Sequence, residues 1–207
     1  MNFIIKTTPD ELKRARKWWQ DLEMQWKFAY NEAVYGKGPT IEPPKDEELM
    51  LLLLQIDTLR FAGPLAFNPN MTTVLTNLSG LIPLYHVTYL SISNMKLDSL
   101  KPLVRFNKLK YLYVYENQLD SLEGIENLTG LTQLYAQNNN ITDLSPVKKL
   151  TNLETLYVTN NAFDKINGLT LKHEDKLQKF YVLPNKNLRH REVIRIQNEL
   201  GILCQKG

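Results

Sequence analysis

A frame of 22 residues restarts along the middle of the chain, and no other feature restricts the fold as much. From Leu109 it reads Leu109-x-x-Leu112-x-Val114-x-x-Asn117-x-Leu119-x-x-Leu122-x-x-Ile125-x-x-Leu128. It restarts at Leu131, with Leu134, Ala136, Asn139, Ile141, Leu144, Val147 and Leu150. A third unit starts at Leu153 and continues with Leu156, Val158, Asn161, Phe163, Ile166 and Leu169. Upstream, Val87, Leu90, Ile92, Leu97, Leu100, Leu103 and Phe106 keep the frame, with Met95 where asparagine belongs. Downstream, Leu177, Phe180, Val182 and Asn185 rejoin it after a two-residue insertion, giving five units.

Two periods coexist inside each unit. Apolar residues at the fourth and sixth positions alternate with polar ones, which is the period of a short strand with one face inward. After the asparagine, apolar residues recur every third position, which suits tight 3₁₀ turns or extended segments on the opposite side. Neither half can bury its apolar side alone. Stacking units at the strand spacing of about 4.8 Å joins the strips into one core, with a parallel sheet on one side of a curved solenoid. A side-chain amide donates and accepts at once, so Asn117, Asn139, Asn161 and Asn185 can satisfy backbone groups stranded where each strand turns.

These residues, above all Asn138-Asn139-Asn140-Ile141-Thr142-Asp143-Leu144-Ser145-Pro146-Val147 followed by Leu150-Thr151-Asn152-Leu153, resemble the leucine-rich repeat superfamily. The spacing is similar to the bacterial-type 22-residue class of internalins and phosphatase-regulatory repeat proteins. The resemblance spans residues 87–188. It implies an α/β solenoid, an arc with its parallel sheet on the concave face, and binding of another protein there. Nothing resembles the surface-anchoring segments of internalins, so host-cell adhesion is not implied.

Residues 57–86 read as an irregular first coil. Leu59 and Phe61, led by Ile56, repeat the strand pattern, and Leu75, Leu78, Leu81 and Leu84 repeat the every-third pattern. Between them Gly63-Pro64 and Asn68-Pro69-Asn70 are turn chemistry. Residues 1–56 read as a helical cap. Thr8-Pro9-Asp10-Glu11 is a capping box, and Leu12, Ala15, Trp19, Leu22, Trp26, Ala29 and Ala33 line one face of a single helix ending near Gly36. That tryptophan stripe covers the open end of the core or, alternatively, binds a partner. A proline-rich linker, Lys37 to Pro44, precedes a second helix over Asp46 to Gln55. Residues 189–207 form the other cap, a helix over Arg189 to Leu200 stopped by Gly201, then an edge strand at Ile202-Leu203-Cys204. The three parts make one structural unit.

Composition narrows the function classes. The net charge is +3, too small to argue for nucleic acid or an anionic membrane. The basic excess sits in residues 172–207, with eight basic against four acidic side chains. One cysteine, Cys204, makes no internal disulfide and no thiolate metal site. The opening Met1 to Pro9 has too short an apolar run for a signal peptide, and Leu49 to Leu54 is too short to span a bilayer, so a cytoplasmic location is expected. Without a secretory signal, the sequons at Asn70, Asn77, Asn127 and Asn140 are read as repeat chemistry. His86, His173 and His190 have no ligand at metal spacing, Asp98, Asp120, Asp143 and Asp164 supply one turn residue per coil, and the glycines form no phosphate loop. No enzyme, metal or cofactor is expected.

The outward strand face carries the information. Its central column is Ser91, Tyr113, Tyr135, Tyr157 and Tyr181. One flank holds Tyr89, Tyr111, Gln133, Thr155 and Lys179, the other Ser93, Tyr115, Gln137, Thr159 and Leu183. Seven of the ten tyrosines fall here. A third of each ring's area, about 150–250 Å², sums to about 350–580 Å², a patch large enough to have a purpose. Tyrosine supplies contact area and a hydroxyl at low rotamer entropy. The rings can equally stack across strands to support the sheet. The expected function is a non-enzymatic module binding a protein or peptide through Tyr89, Tyr111, Tyr113, Tyr115, Tyr135, Gln137, Tyr157 and Tyr181, rimmed by Lys110, Glu116, Glu154 and Lys179. The alternatives are a carbohydrate-binding repeat protein, since rings stack on sugars, and a regulatory subunit of a larger enzyme complex. Nucleic acid is not expected, because only Lys110 and Lys179 interleave with the tyrosines.

Overall fold

The structure, a computed structural model, describes residues 7–207. The segment Met1 to Lys6, on which most of the leader argument rests, lies outside the described residues. Three helices come first: α1 (Pro9–Asp21), α2 (Met24–Ala33) and α3 (Asp46–Leu54). Six strands follow, β1 (Thr58–Ala62), β2 (Tyr89–Ser93), β3 (Tyr111–Tyr113), β4 (Gln133–Tyr135), β5 (Thr155–Tyr157) and β6 (Lys179–Leu183), and then α4 (His190–Leu200) and β7 (Cys204–Lys206). All seven strands form one parallel sheet in chain order. The register is that of the repeat, Leu59↔Leu90↔Leu112↔Leu134↔Leu156↔Phe180, so these side chains stack into one buried row. Opposite the sheet the chain closes each coil with turns. Four of them are 3₁₀, at Ser79–Leu81, Lys101–Arg105, Ser145–Lys149 and Leu171–His173.

The asparagine ladder is present. Asn117 Oδ1 accepts from Leu97 N at 3.1 Å, while its Nδ2 donates to Ile92 O and Val114 O. Asn139 does the same with Leu119 N, Val114 O and Ala136 O, and Asn161 with Ile141 N, Ala136 O and Val158 O. Asn185, beyond the insertion, accepts from Asn161 N and donates to Val158 O and Val182 O. Each amide thus joins its own strand end to the coil before it. Met95 does not break the ladder outright, because its Sδ accepts from Leu75 N at 3.3 Å, the place in the pattern an asparagine oxygen would take. The residue before Met95, Asn117, Asn139 and Asn161 turns the chain with positive φ: Asn94, Glu116, Asn138 and Asn160, at 53° to 57°. Asparagine tolerates that region, and Glu116 is the strained member of the row.

The N-terminal helix is not continuous. Leu22 and Glu23 are extended (ψ 140° and 150°), which splits the expected helix into α1 and α2. The break lets the Glu23 carboxylate accept from Asn77 Nδ2 and Ser79 Oγ in the first coil, and lets the Trp26 ring lie on Gly80. A Cβ on Gly80 would come within 2.1 Å of that ring, so only glycine fits. Trp26, Tyr30 and Phe61 pack with centroids 5.5–5.7 Å apart and close the end of the core. Trp19 is buried too, so the stripe covers the stack. Glu32, from α2, accepts from the N–H groups of Thr72 and Thr73. At the other end, Gly201 (φ 66°) stops α4 as expected, but the edge strand starts at Cys204 because Ile202 is buried below it and Leu203 is exposed.

The first coil carries a fixed loop between Gly63 and Asn70. Asn70 Oδ1 accepts from Ala62 N at 2.7 Å and Asn70 Nδ2 donates to Arg60 O at 2.8 Å, so one side chain occupies the outer edge of β1. Asn77 is likewise engaged with Glu23, Trp26 and Ser79. No helix among the described residues is long and apolar enough to cross a membrane.

Two outcomes follow. Asn139→Ala is expected to cost about 1–3 kcal/mol in urea unfolding, because Leu119 N loses its partner inside the core while Val114 O and Ala136 O each lose one of two amide donors. Met95→Ala and Met95→Leu both leave Leu75 N without its sulfur acceptor, and Met95→Ala should cost more because it also empties buried volume. The second concerns acid. Hydrogen bonds from Ser79, Asn77 and Gln25 hold the Glu23 carboxyl below the usual glutamate range. A depressed folded value gives stability that is full above about pH 4.5 and declines as pH falls through the folded value. Urea titrations from about pH 6 to about pH 3 should therefore show a shallower acid slope for Glu23→Gln.

Candidate partner-binding face

The strand alternation that buries Leu90, Leu112, Leu134 and Leu156 turns their neighbours outward, and the register puts them in columns. Ser91↔Tyr113↔Tyr135↔Tyr157↔Tyr181 is one column, and Tyr89↔Tyr111↔Gln133↔Thr155↔Lys179 is the next. Neighbouring rings touch. Centroid separations are 5.2 Å for Tyr89 and Tyr113, 4.6 Å for Tyr113 and Tyr135, 5.6 Å for Tyr135 and Tyr157, and 4.8 Å for Tyr157 and Tyr181. Tyr113 and Tyr135 are stacked, and Tyr111 lies 6.0 Å from Tyr89. All seven tyrosines are half-buried, so the rings support one another and still present an edge or face to solvent. The shorter side chains between them, Ser91, Ser93, Thr155 and Thr159, are buried and offer little to a partner.

Polar groups on the face are partly committed. Tyr113 OH donates to Gln133 Oε1 at 2.8 Å. The Gln137 Oε1 is closed off from solvent and has no partner among the described residues. Burial pushes the Tyr113 hydroxyl up to about 12, and the neighbouring tyrosines push in the same direction. The rim residues Lys110, Glu116, Glu154 and Lys179 are exposed, and Glu116 accepts from Asn94 Nδ2.

The face extends further than the five repeat units. Arg60 on β1 is in register with Ser91, and Gln205 on β7 with Tyr181. Arg60 is exposed and donates to Asn68 O, which ties it to the fixed loop. That loop presents Leu65 at 85% and Phe67 at 98% exposure. The alternation Leu59-x-Phe61 marks Arg60 as outward in the sequence, whereas the apolar loop residues carry no periodic signal. At the other end, Gly207 donates to Leu183 O, and its backbone lies against the Tyr157 ring.

Elsewhere the titratable groups have structural partners. His173 is buried, with Nδ1 against Thr170 and Nε2 against Val147 O. His86 Nε2 lies 3.0 Å from Ile56 O. Burial raises the Cys204 thiol to about 11, which leaves little thiolate. Asp143 accepts from Ser145 N and Asn167 Nδ2, a turn-capping role. Among the described residues no group of three or more His, Cys, Asp or Glu is placed to hold a metal ion.

Comparison with known proteins agrees with this architecture. Residues 129–171 match the family described as leucine-rich repeats in two copies. No curated protein matches the sequence. Among solved structures, a leucine-rich repeat protein of Leptospira interrogans is 20% identical with a TM-score of 0.56, over 70% of this chain and 36% of that one. Internalin C2 from Listeria monocytogenes is 26% identical with a TM-score of 0.48, over 54% of this chain and 47% of that one. The leucine-rich repeat ectodomain of a receptor kinase from Arabidopsis thaliana is 25% identical with a TM-score of 0.43, over 53% and 60%. The chain thus spans less than two thirds of the length of each of these structures.

Tyrosine ionisation reads the packing of the face directly. Because the folded value of Tyr113 is raised, its contribution to stability is full below about pH 10 and is lost as pH climbs towards about 12. In a spectrophotometric titration, Tyr113→Phe should remove a component ionising near 12, while buried Tyr30 stays protonated until the chain unfolds.

Proposed function

The chain is a leucine-rich repeat protein, and from that premise we propose that it is a protein-binding module whose concave tyrosine face holds a protein or peptide segment. The observation that carries the reading is the continuous row of ring contacts from Tyr89 to Tyr181. Core packing asks for no aromatics on the outward side of the sheet, yet seven stand there, six of them packed ring against ring. Rings held in place lose little further entropy on binding, which favours affinity per unit of contact area. Six strand spacings make the sheet about 29 Å wide, comparable with an ordinary interface. The partner contacts would come from Tyr89, Tyr111, Tyr113, Tyr115, Tyr135, Gln137 and Tyr181, with Tyr157 partly covered by Gly207.

The test is a triple variant, Tyr113→Ala, Tyr135→Ala and Tyr157→Ala. It should abolish capture of partners by the immobilised protein, while the melting temperature falls by several degrees from lost ring contacts. Retention of every captured partner would assign the tyrosines to sheet support alone. A glycan array separates the carbohydrate alternative, which predicts binding of sugars with the same tyrosine dependence.

A further inference from the structure

The three outward columns of β1 to β6 contain only two charged side chains, Arg60 at one end and Lys179 at the other, and no carboxylate. Neither cation makes an ion pair among the described residues, although Arg16, Lys17, Lys37, Lys101, Arg189 and Arg195 all do. The acidic residues nearest the columns stand outside them: Asp57 accepts from the hydroxyls of Thr58 and Thr88, Glu116 from Asn94, and Glu154 is exposed at the rim beside Lys179 without pairing with it. The basic excess of residues 172–207 lies on the Lys179 side. A tyrosine row is therefore bracketed by two uncompensated positive charges.

We propose that the concave face takes an acidic peptide segment of a partner protein, with carboxylates at both ends of a short apolar or aromatic middle, read by Arg60 and Lys179. This rests on the concave face being the binding face. β1 and β6 are five strand spacings apart, about 24 Å, which an extended segment of about seven residues spans. The Arg60 guanidinium is held by Asn68 O, so little side-chain freedom is lost when it meets a carboxylate. The same loop carries the exposed Leu65 and Phe67, which give the partner residues around that carboxylate an apolar contact. Between the charges the tyrosines offer ring faces and hydroxyls, suited to apolar and small polar side chains. A nucleic acid fits less well. A phosphate chain crossing the same distance needs a row of cations, and the face supplies two, with Glu154 exposed beside one of them.

The probe is a pool of labelled synthetic peptides with glutamate fixed at both ends of a randomised segment of about seven residues. It is compared with pools carrying lysine or alanine at those ends and with single-stranded oligothymidine. The immobilised full chain should retain the glutamate pool about three- to tenfold over the lysine pool at low salt, the ratio falling as ionic strength rises. Lys179→Glu should reduce the ratio, and Lys179→Glu with Arg60→Glu should reverse it, with circular dichroism unchanged. Among the described residues Lys179 makes no side-chain bond, so its variant stays informative even if Arg60→Glu loosens the loop. Retention that ignores end charge but is lost in the tyrosine triple variant overturns the acidic segment and leaves the binding face standing. Retention unaffected by either set of variants, or no retention of any pool, overturns both. Preferential retention of oligothymidine replaces the peptide with a nucleic acid.

Discussion

Every coil of this solenoid leaves its strand by turning through the core, and the turn strands backbone N–H and C=O groups away from water. An unpaired group there costs about 1–3 kcal/mol, and the same position recurs in every unit. The ladder amides of Asn117, Asn139, Asn161 and Asn185 meet that demand with one side chain per coil, each bonding backward into the preceding coil. The strands can then stay as short as three residues, as in β3, β4 and β5. The leucines fill the core, but the amides decide that the chain turns at the same place each time. The sheet register, and with it the outward columns, inherits that regularity.

A stack built this way has two open ends, and this chain closes them by different means. At the start, aromatic bulk does the work: Trp26, Tyr30 and Phe61 lie over the first coil, and Glu23 and Glu32 fasten the helices to it through hydroxyls and amides. The edge of β1 is a separate problem, since its outward N–H and C=O groups invite another strand. Asn70 answers it from the loop. At the far end, α4 and the short β7 with Lys206 close the sheet, a small charged edge that discourages further pairing. The loop that protects one edge also delivers Phe67 to the surface, so protection and presentation come from the same eight residues.

What the sequence revealed follows from which interactions are periodic. The sheet, its register, the amide ladder and the tyrosine columns were legible because each repeats every 22 residues and is enforced by the same packing in every unit. The break at Leu22 and Glu23 was not, because the stripe from Leu12 to Ala33 is helical in spacing throughout. What interrupts it is a tertiary bond from Glu23 to Asn77 and Ser79, over fifty residues away. Met95 looked like a missing rung, and thioether sulfur as an acceptor is too weak and unspecific a signal to read from a pattern. Arg60 was within reach of the alternation that marked Leu59 and Phe61, but lay in a coil whose irregularity hid its place on the face. The contribution of Gly207 to covering Tyr157 depends on where β7 ends, and no local rule gives that.

The tyrosines resolve the tension between support and recognition, because on a parallel sheet the two requirements coincide. Side chains in register on adjacent strands lie about 4.8 Å apart, close to the distance at which aromatic rings stack, so a tyrosine column orders itself with no scaffold behind it. The observed separations of 4.6–5.6 Å along the row from Tyr89 to Tyr181 are of that size. A ring packed between two neighbours is half-buried, and its remaining face or edge stays open to solvent. Charge is a different matter. A lysine or carboxylate between stacked rings would lose solvation there, so charges are kept to the ends of the row, at Arg60 and Lys179, and to the rim. The geometry that makes the centre apolar and continuous thus keeps charge at the two ends of the arc and on its rim.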